Sequence, residues 1–237
     1  MSQADCRTES APTAPSRGNM SIAYSQRDIE WAEDRLGTSK VFTMGTAGCL
    51  VTAVASMLSD LTDRPVSPGE LNLWLRENKG YAGDALFVFN SVAPFGVRLA
   101  EMIHCQSTPA PIKHMSEALD DGAVVIVQVD SKPGGALDQH WVRLLTVDEK
   151  DAEIVDPWQY PGKEATKLSR YFAEGWNTEK AIFTVAIYQR AGRNLLDLWQ
   201  IPVHLDEHQA ELDIRPEVQR RTKSRAAQRT KLAESGS

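Results

Sequence analysis

Three side chains suited to acyl transfer stand far apart in the chain: Cys49, His140 and Asp156. A thiol attacks a carbonyl as its thiolate, and with a free pKa of about 8.5 little of that anion exists at neutral pH without help. The N-terminus of a helix supplies such help through unpaired N–H groups and the aligned peptide dipoles. The stretch Gly48 to Leu58 has apolar residues at Leu50, Val51, Val54, Met57 and Leu58, a helical spacing, and Cys49 sits in its first turn. By itself a cysteine in an apolar helix reads as a small buried hydrophobe. The run Gly45-Thr46-Ala47-Gly48 shifts that reading, because small residues keep bulk away from the approach to the sulfur and place Gly48 on the substrate side.

Of five histidines, His104 lies in a strand-like run, His114 on a polar helix face, and His204 and His208 in a polar C-terminal stretch. His140 differs. It follows the flexible segment Ser131 to Gln139, with Pro133, Gly134 and Gly135, and opens the strand Trp141 to Val147. A return strand, Glu153 to Val155, follows the polar turn Asp148-Glu149-Lys150-Asp151 and carries Asp156 back to the His140 end of the hairpin. The separation of 16 residues is even, so both side chains share a face only if paired residue numbers sum to an even value. An odd-length loop or a bulge is therefore expected between Val147 and Ala152. In that geometry the carboxylate accepts a proton from one imidazole nitrogen and the other nitrogen faces the thiol. Asp156 before Pro157 would otherwise read as a turn former. Gln26, within Tyr24-Ser25-Gln26-Arg27-Asp28, is a candidate second donor beside the backbone N–H of Cys49 for an oxyanion.

The elements that must position these groups can be read from the same chain. Ser67, Pro68 and Glu70 announce a second helix, expected to end at Gly80. Asp84 is expected to cap a third helix through Leu86, Phe87 and Phe89, stopped by Pro94. A short helix around His114 to Leu119 closes at Gly122. From Ala123 the pattern turns to strands: Ala123 to Val129, the hairpin, and Ala181 to Tyr188. Helices first and an antiparallel sheet second make an α+β domain. It is expected over residues 22–189, with a disordered leader over 1–21 and a polar appendage over 190–237.

A hydrophobic fraction of 42% and a charged fraction of 24% are those of an ordinary globular chain and exclude a fibrous or low-complexity class. No apolar run suits a signal peptide or a membrane span, so a cytoplasmic location and no membrane partner are expected. The three cysteines, Cys6, Cys49 and Cys105, are odd in number and scattered, which argues against a disulfide framework. Cys105 beside His104 lacks partners at a zinc-ligand spacing, and no metal or cofactor is expected. The net charge of −6 conceals a tail, Arg215 to Lys231, with seven Lys or Arg against Glu217 alone. That tail reads as a solvated end able to touch an acidic partner, with nucleic acid not expected.

The motifs Tyr24-Ser25-Gln26-Arg27-Asp28, Gly45-Thr46-Ala47-Gly48-Cys49-Leu50-Val51-Thr52, Gln139-His140-Trp141-Val142 and Val155-Asp156-Pro157-Trp158 occur in an order that resembles the papain-like cysteine peptidases. Within these, the chain is similar to the leader-cleaving peptidases of bacteriocin exporters, over roughly Tyr24 to Tyr188. The resemblance implies a papain-like fold, a helical half packed on an antiparallel sheet. It further implies Cys49 as nucleophile, His140 as base, Asp156 as third member and Gln26 as oxyanion-hole donor. The expected substrate is a peptide or protein, and Trp141 and Trp158 are expected to line its site with Gly48. One departure is that the strand after His140 reads Val142-Arg143-Leu144-Leu145-Thr146-Val147, without the glycine often found there. Hydrolysis of cell-wall peptide or amide bonds by the same triad, and a non-catalytic peptide-binding module on the same scaffold, stay open as alternatives.

Overall fold

The structure is a computed structural model and describes residues 21–62, 64–159 and 166–191. Residues 1–20 of the leader, with Cys6, and residues 192–237 of the C-terminal appendage, with its basic tail, lie outside the described residues.

Helices come first. A single turn, α1 (Met44–Ala47), runs through Gly48 into α2 (Cys49–Leu61), and α3 (Pro68–Glu77) follows. Ser67 and Glu70 form the expected capping box on α3, with the Ser67 hydroxyl accepting from the Glu70 N–H and the Glu70 carboxylate accepting from the Ser67 N–H. α3 stops at Glu77, and Lys79 takes a left-handed φ of 57° before Gly80. Gly80 is therefore not the turning residue; it is small because the chain folds back on α3, where a Cβ would come within 2.3 Å of Leu75 Cδ2 and 2.8 Å of Leu75 Cα.

The expected helix from Asp84 does not form as read. Leu86–Phe87 (β2) pairs antiparallel with Tyr81–Ala82 (β1), and only Phe89–Phe95, a 3-10 turn containing Pro94, is helical. The apolar cluster Leu86, Phe87 and Phe89 suits a ribbon as well as a short helix, and spacing alone does not separate them over so few residues.

The sheet holds five antiparallel strands in the order β3-β7-β4-β5-β6. These are β3 (Val97–His104), β4 (Val124–Asp130), β5 (Gln139–Val147), β6 (Ala152–Val155) and β7 (Thr184–Arg190). The α+β class and the helix-first order are as expected, with one strand added early: β3 precedes α4 (Ile112–Asp120) and pairs with β7 at one edge. An irregularity between Leu99 and Glu101 interrupts its register. The stretch read as the last strand starts late: Ala181 still ends the short α5 (Thr178–Ala181), capped by the Asn177 side chain, and β7 begins at Thr184.

Every residue of β4 is buried because the sheet is covered on both faces. Val51, Val54, Met57 and Leu58 of α2 and Leu71 and Leu75 of α3 pack with Val124, Ile126, Trp141, Ala186 and Tyr188 on one face. Met115 of α4, Leu168, Tyr171 and Ile182 pack with Val125, Val127, Val142, Leu144 and Ile187 on the other. α2 is thereby held against the sheet with its N-terminal end near the β4–β5 connection.

The hairpin meets the parity requirement in a different place from the one expected. The turn Asp148–Asp151 is even, and Val147 pairs with Ala152 and Thr146 with Glu153. A bulge between Leu144 and Thr146 then shifts the register, so that Leu144 pairs with Ile154 and Arg143 with Val155. Paired numbers now sum to 298, an even value, and His140 and Asp156 face the same side. Leu145, the extra residue, turns outward and is exposed.

Gly80→Ala is expected to destabilise the fold by about 1–3 kcal/mol through overpacking against Leu75. Gly135→Ala, where an added Cβ meets nothing within 4 Å, should lie within about 0.5 kcal/mol of the parent. Urea unfolding of the two variants side by side measures the difference.

Candidate active site

The nucleophile candidate is the first residue of α2. The N-cap, Gly48, offers no side-chain hydrogen bond and no acid stands in the first turn, so no side chain of the helix's own claims its N-terminal N–H groups. Cys49 is buried with a small exposed fraction, 8%. The glycines before it answer to the chain's own packing. A Cβ on Gly48 would meet Met44 O at 2.5 Å, and one on Gly45 would meet Ala32 O at 2.9 Å. The close passage of α1 into α2 therefore requires Gly48 on packing grounds alone.

His140 is the second residue of β5, opposite Val129. The preceding loop is fastened at its neck: Asp130 Oδ1 accepts from the N–H groups of Lys132 (2.9 Å) and Asp138 (3.1 Å), and Ser131 N–H donates to Asp138 O at 2.8 Å. The segment read as flexible is thus tied on both sides of its glycines.

His140 Nε2 donates to Asp156 Oδ1 at 2.8 Å, with the imidazole buried and the carboxylate fully so. Asp156 accepts three further bonds. The Trp158 N–H reaches Oδ1 at 2.8 Å, while Arg170 Nη1 (3.0 Å) and the Tyr171 hydroxyl (2.6 Å) reach Oδ2. Burial alone would push the Asp156 carboxyl up, but hydrogen bonds and charge from His140, with the bonds from Tyr171 and Trp158, hold it below its ordinary value. Burial would likewise push the His140 imidazolium down. Hydrogen bonding to Asp156 and to Cys49, with the negative charge of each, outweighs it and raises the imidazole to about 9. Cys49 and Asp156 thus act on the same imidazole.

Gln26 is buried and tethered to both halves. Its N–H donates to Pro157 O at 2.8 Å, one residue beyond Asp156, and its side-chain Nε2 donates to Gly45 O at 3.1 Å, four residues before Cys49. Its Oε1 has no hydrogen-bond partner. Ser25 Oγ donates to Gln159 O at 2.8 Å and strengthens the same tether.

The tryptophans differ from each other. Trp141 is buried in the core against Phe89, ring centroids 5.5 Å apart, and packs as a core residue. Trp158 stands edge-on to the His140 ring at 6.2 Å, with the Arg27 guanidinium 3.5 Å above its own ring. Two residues that sequence reasoning did not single out complete the site. Arg170 and Tyr171 hold Asp156 Oδ2 from a 3-10 turn (Leu168–Tyr171). Their separation of 14 and 15 residues from Asp156, across a loop, carries no periodic signal.

Among the described residues no group of three or more His, Cys, Asp or Glu side chains is arranged to hold a metal ion. No helix is long and apolar enough to cross a membrane among those residues.

Tyr171→Phe removes a hydrogen bond to a buried carboxylate and should lower stability at pH 7 by about 1.5–3 kcal/mol in urea unfolding. In NMR the His140 ring is expected to titrate with a midpoint of about 9. The midpoint should fall in Cys49→Ala and in Asp156→Asn, since each removes one cause of the rise. Because the folded value is raised, protonated His140 contributes stability in full below about pH 6.5, and that contribution is lost as pH rises through about 9. Asp156, held low, acts in the opposite sense: its contribution is present at neutral pH and lost in acid.

No protein-family model matches the chain, and no curated protein matches it. Among solved structures it is similar to one described as a "putative C39-like peptidase from Bacillus anthracis", with a TM-score of 0.41 and 14% identity, covering 73% of this chain and 96% of that one.

Proposed function

We propose that the chain is a thiol hydrolase that cleaves peptide bonds through Cys49, His140 and Asp156. The observation that carries this reading is the single buried imidazole acted on by a fully buried carboxylate and by a thiol at an uncapped helix start. A structural histidine needs one partner; a general base for a thiol needs this pair.

In the proposed cycle the Cys49 thiolate adds to the amide carbonyl carbon. The negative charge moves onto the carbonyl oxygen, opposite the Cys49 N–H and the Gln26 amide, whose Nε2 carries a second proton beyond the one given to Gly45 O. The C–N bond breaks as protonated His140 passes its proton to the leaving amine, leaving a thioester on Cys49. His140 then takes a proton from water, hydroxide displaces the thiolate, and the acid is released. Asp156 keeps the ring in the tautomer and orientation these transfers need. Trp158, beside His140, borders the side on which the leaving amine departs.

The test is turnover of unstructured polypeptides and, in parallel, of purified peptidoglycan. Parent protein is expected to cut polypeptides, Cys49→Ala to lose activity, and Gln26→Ala to lose about 2.7–4 kcal/mol of transition-state stabilisation, read from kcat. The alkaline limb of the kcat/KM profile should lie near pH 9, where His140 loses its proton. Cleavage of peptidoglycan alone would move the substrate to the cell wall. A Cys49→Ala protein with full biological activity would favour a binding module.

A further inference from the structure

The strand that follows His140 carries an arginine, Arg143, on the face turned to α2. Arg143 is buried, and its Nη1 lies 2.7 Å from Asp60 Oδ2 near the end of α2. The same nitrogen donates to Ser56 Oγ at 3.1 Å and to Ser56 O at 3.3 Å, and Nη2 donates to Ser21 Oγ at 3.5 Å. The network then closes on itself: the Ile22 N–H donates to Asp60 Oδ1 at 3.0 Å, and Ser56 Oγ donates to Ile22 O.

Three chain segments meet at this cluster, and each carries one member of the site. Ser21 and Ile22 lead into Gln26. Ser56 and Asp60 lie on α2, which begins at Cys49. Arg143 is three residues beyond His140 on β5, on the face turned to α2 while His140 faces the other way. The cluster is a poor choice for stability alone. The Arg143 charge leaves water for a half-buried Asp60, Arg143 Nε has no hydrogen-bond partner, and an apolar pair of similar volume often serves packing as well or better. An ion pair reinforced by hydrogen bonds differs from an apolar contact in being directional. Apolar contacts of α2 with the sheet set no preferred direction along the helix axis, whereas Arg143 Nη1 is held by Asp60 and Ser56 together and Nη2 by Ser21.

We propose that Arg143 and Asp60 are positioning residues, which fix the axial and rotational setting of α2 on β5 and so the distance between the Cys49 sulfur and the His140 ring. The proposal rests on the thiol-hydrolase reading for its purpose. The geometry it asserts can be tested without a substrate.

The test is the double variant Arg143→Met/Asp60→Leu, with thermal unfolding, NMR titration of His140 and the iodoacetamide alkylation rate of Cys49 as readouts. The variant is expected to unfold within a few degrees of the parent. Its His140 midpoint should fall from about 9 by about one pKa unit. Alkylation should slow by about tenfold or more, as a displacement of about 1 Å is enough to do. Arg143→Lys keeps the charge but loses the second guanidinium nitrogen that reaches Ser21, and should shift both readouts in the same direction by less; it serves if the double variant does not fold. A folded variant with both His140 midpoint and Cys49 alkylation at parent values overturns the proposal. Parent protein that cleaves no peptide counts against the hydrolase reading instead, while the His140 midpoint still decides the positioning role.

Discussion

A carboxylate with no solvent contact must be surrounded by donors or it will not stay ionised. Asp156 has four: the His140 ring, the Trp158 N–H, Arg170 and Tyr171. Much of the C-terminal half can be understood from that requirement. The 3-10 turn carrying Arg170 and Tyr171 must return over the sheet face, and β6 must end at Val155 so that the chain can turn through Pro157 and present the Trp158 N–H. The hairpin must carry a bulge so that His140 and Asp156 share a side. The same carboxylate then sets the state of His140, because it favours the imidazolium that burial alone would oppose.

The helical half brings Cys49 to the same imidazole. α2 begins without a side-chain cap, against a backbone so close that Gly48 and Gly45 admit no side chain. Gln26 ties the two halves, its backbone bonded next to Asp156 and its side chain bonded just ahead of Cys49. Deeper in the interface, Arg143 and Asp60 join β5 to α2 and to the segment that leads into Gln26. Cys49 and His140 lie along the α2–β5 contact that these tethers flank.

The parts of this arrangement legible in the sequence were those carried by local pattern. The apolar spacing of α2, the capping box at Ser67 and Glu70, the buried run of β4 and the hairpin each follow from residues within one element. Parity arithmetic on His140 and Asp156 demanded a register shift, and the structure has one. Its place, at Leu145 rather than beyond Val147, was not readable because a bulge inside a strand changes neither hydrophobicity nor turn chemistry. Leu86 to Phe89 was misread for a related reason: a few apolar residues fit both periods, and pairing with Tyr81 and Ala82 decided between them. Arg170, Tyr171 and the Arg143 cluster were invisible because their partners lie 14 to 122 residues away in the chain. Trp141 shows the converse limit, since an aromatic next to a site residue in sequence points to the opposite face of its strand.

The central claim is that Cys49 is chemically distinct because His140 and the start of α2 act on its sulfur, and Cys105 offers an internal control. Both are free and buried, but Cys105 has no histidine bonded to it, and burial raises its pKa. The most direct measurement is competitive iodoacetamide labelling of the folded protein at mildly acidic pH, with each cysteine read separately by peptide mass spectrometry. The account predicts that Cys49 is labelled faster than Cys105 and faster than a model thiol, and that His140→Ala abolishes the difference. Labelling of Cys49 at the rate of a model thiol, unchanged by His140→Ala, would contradict it.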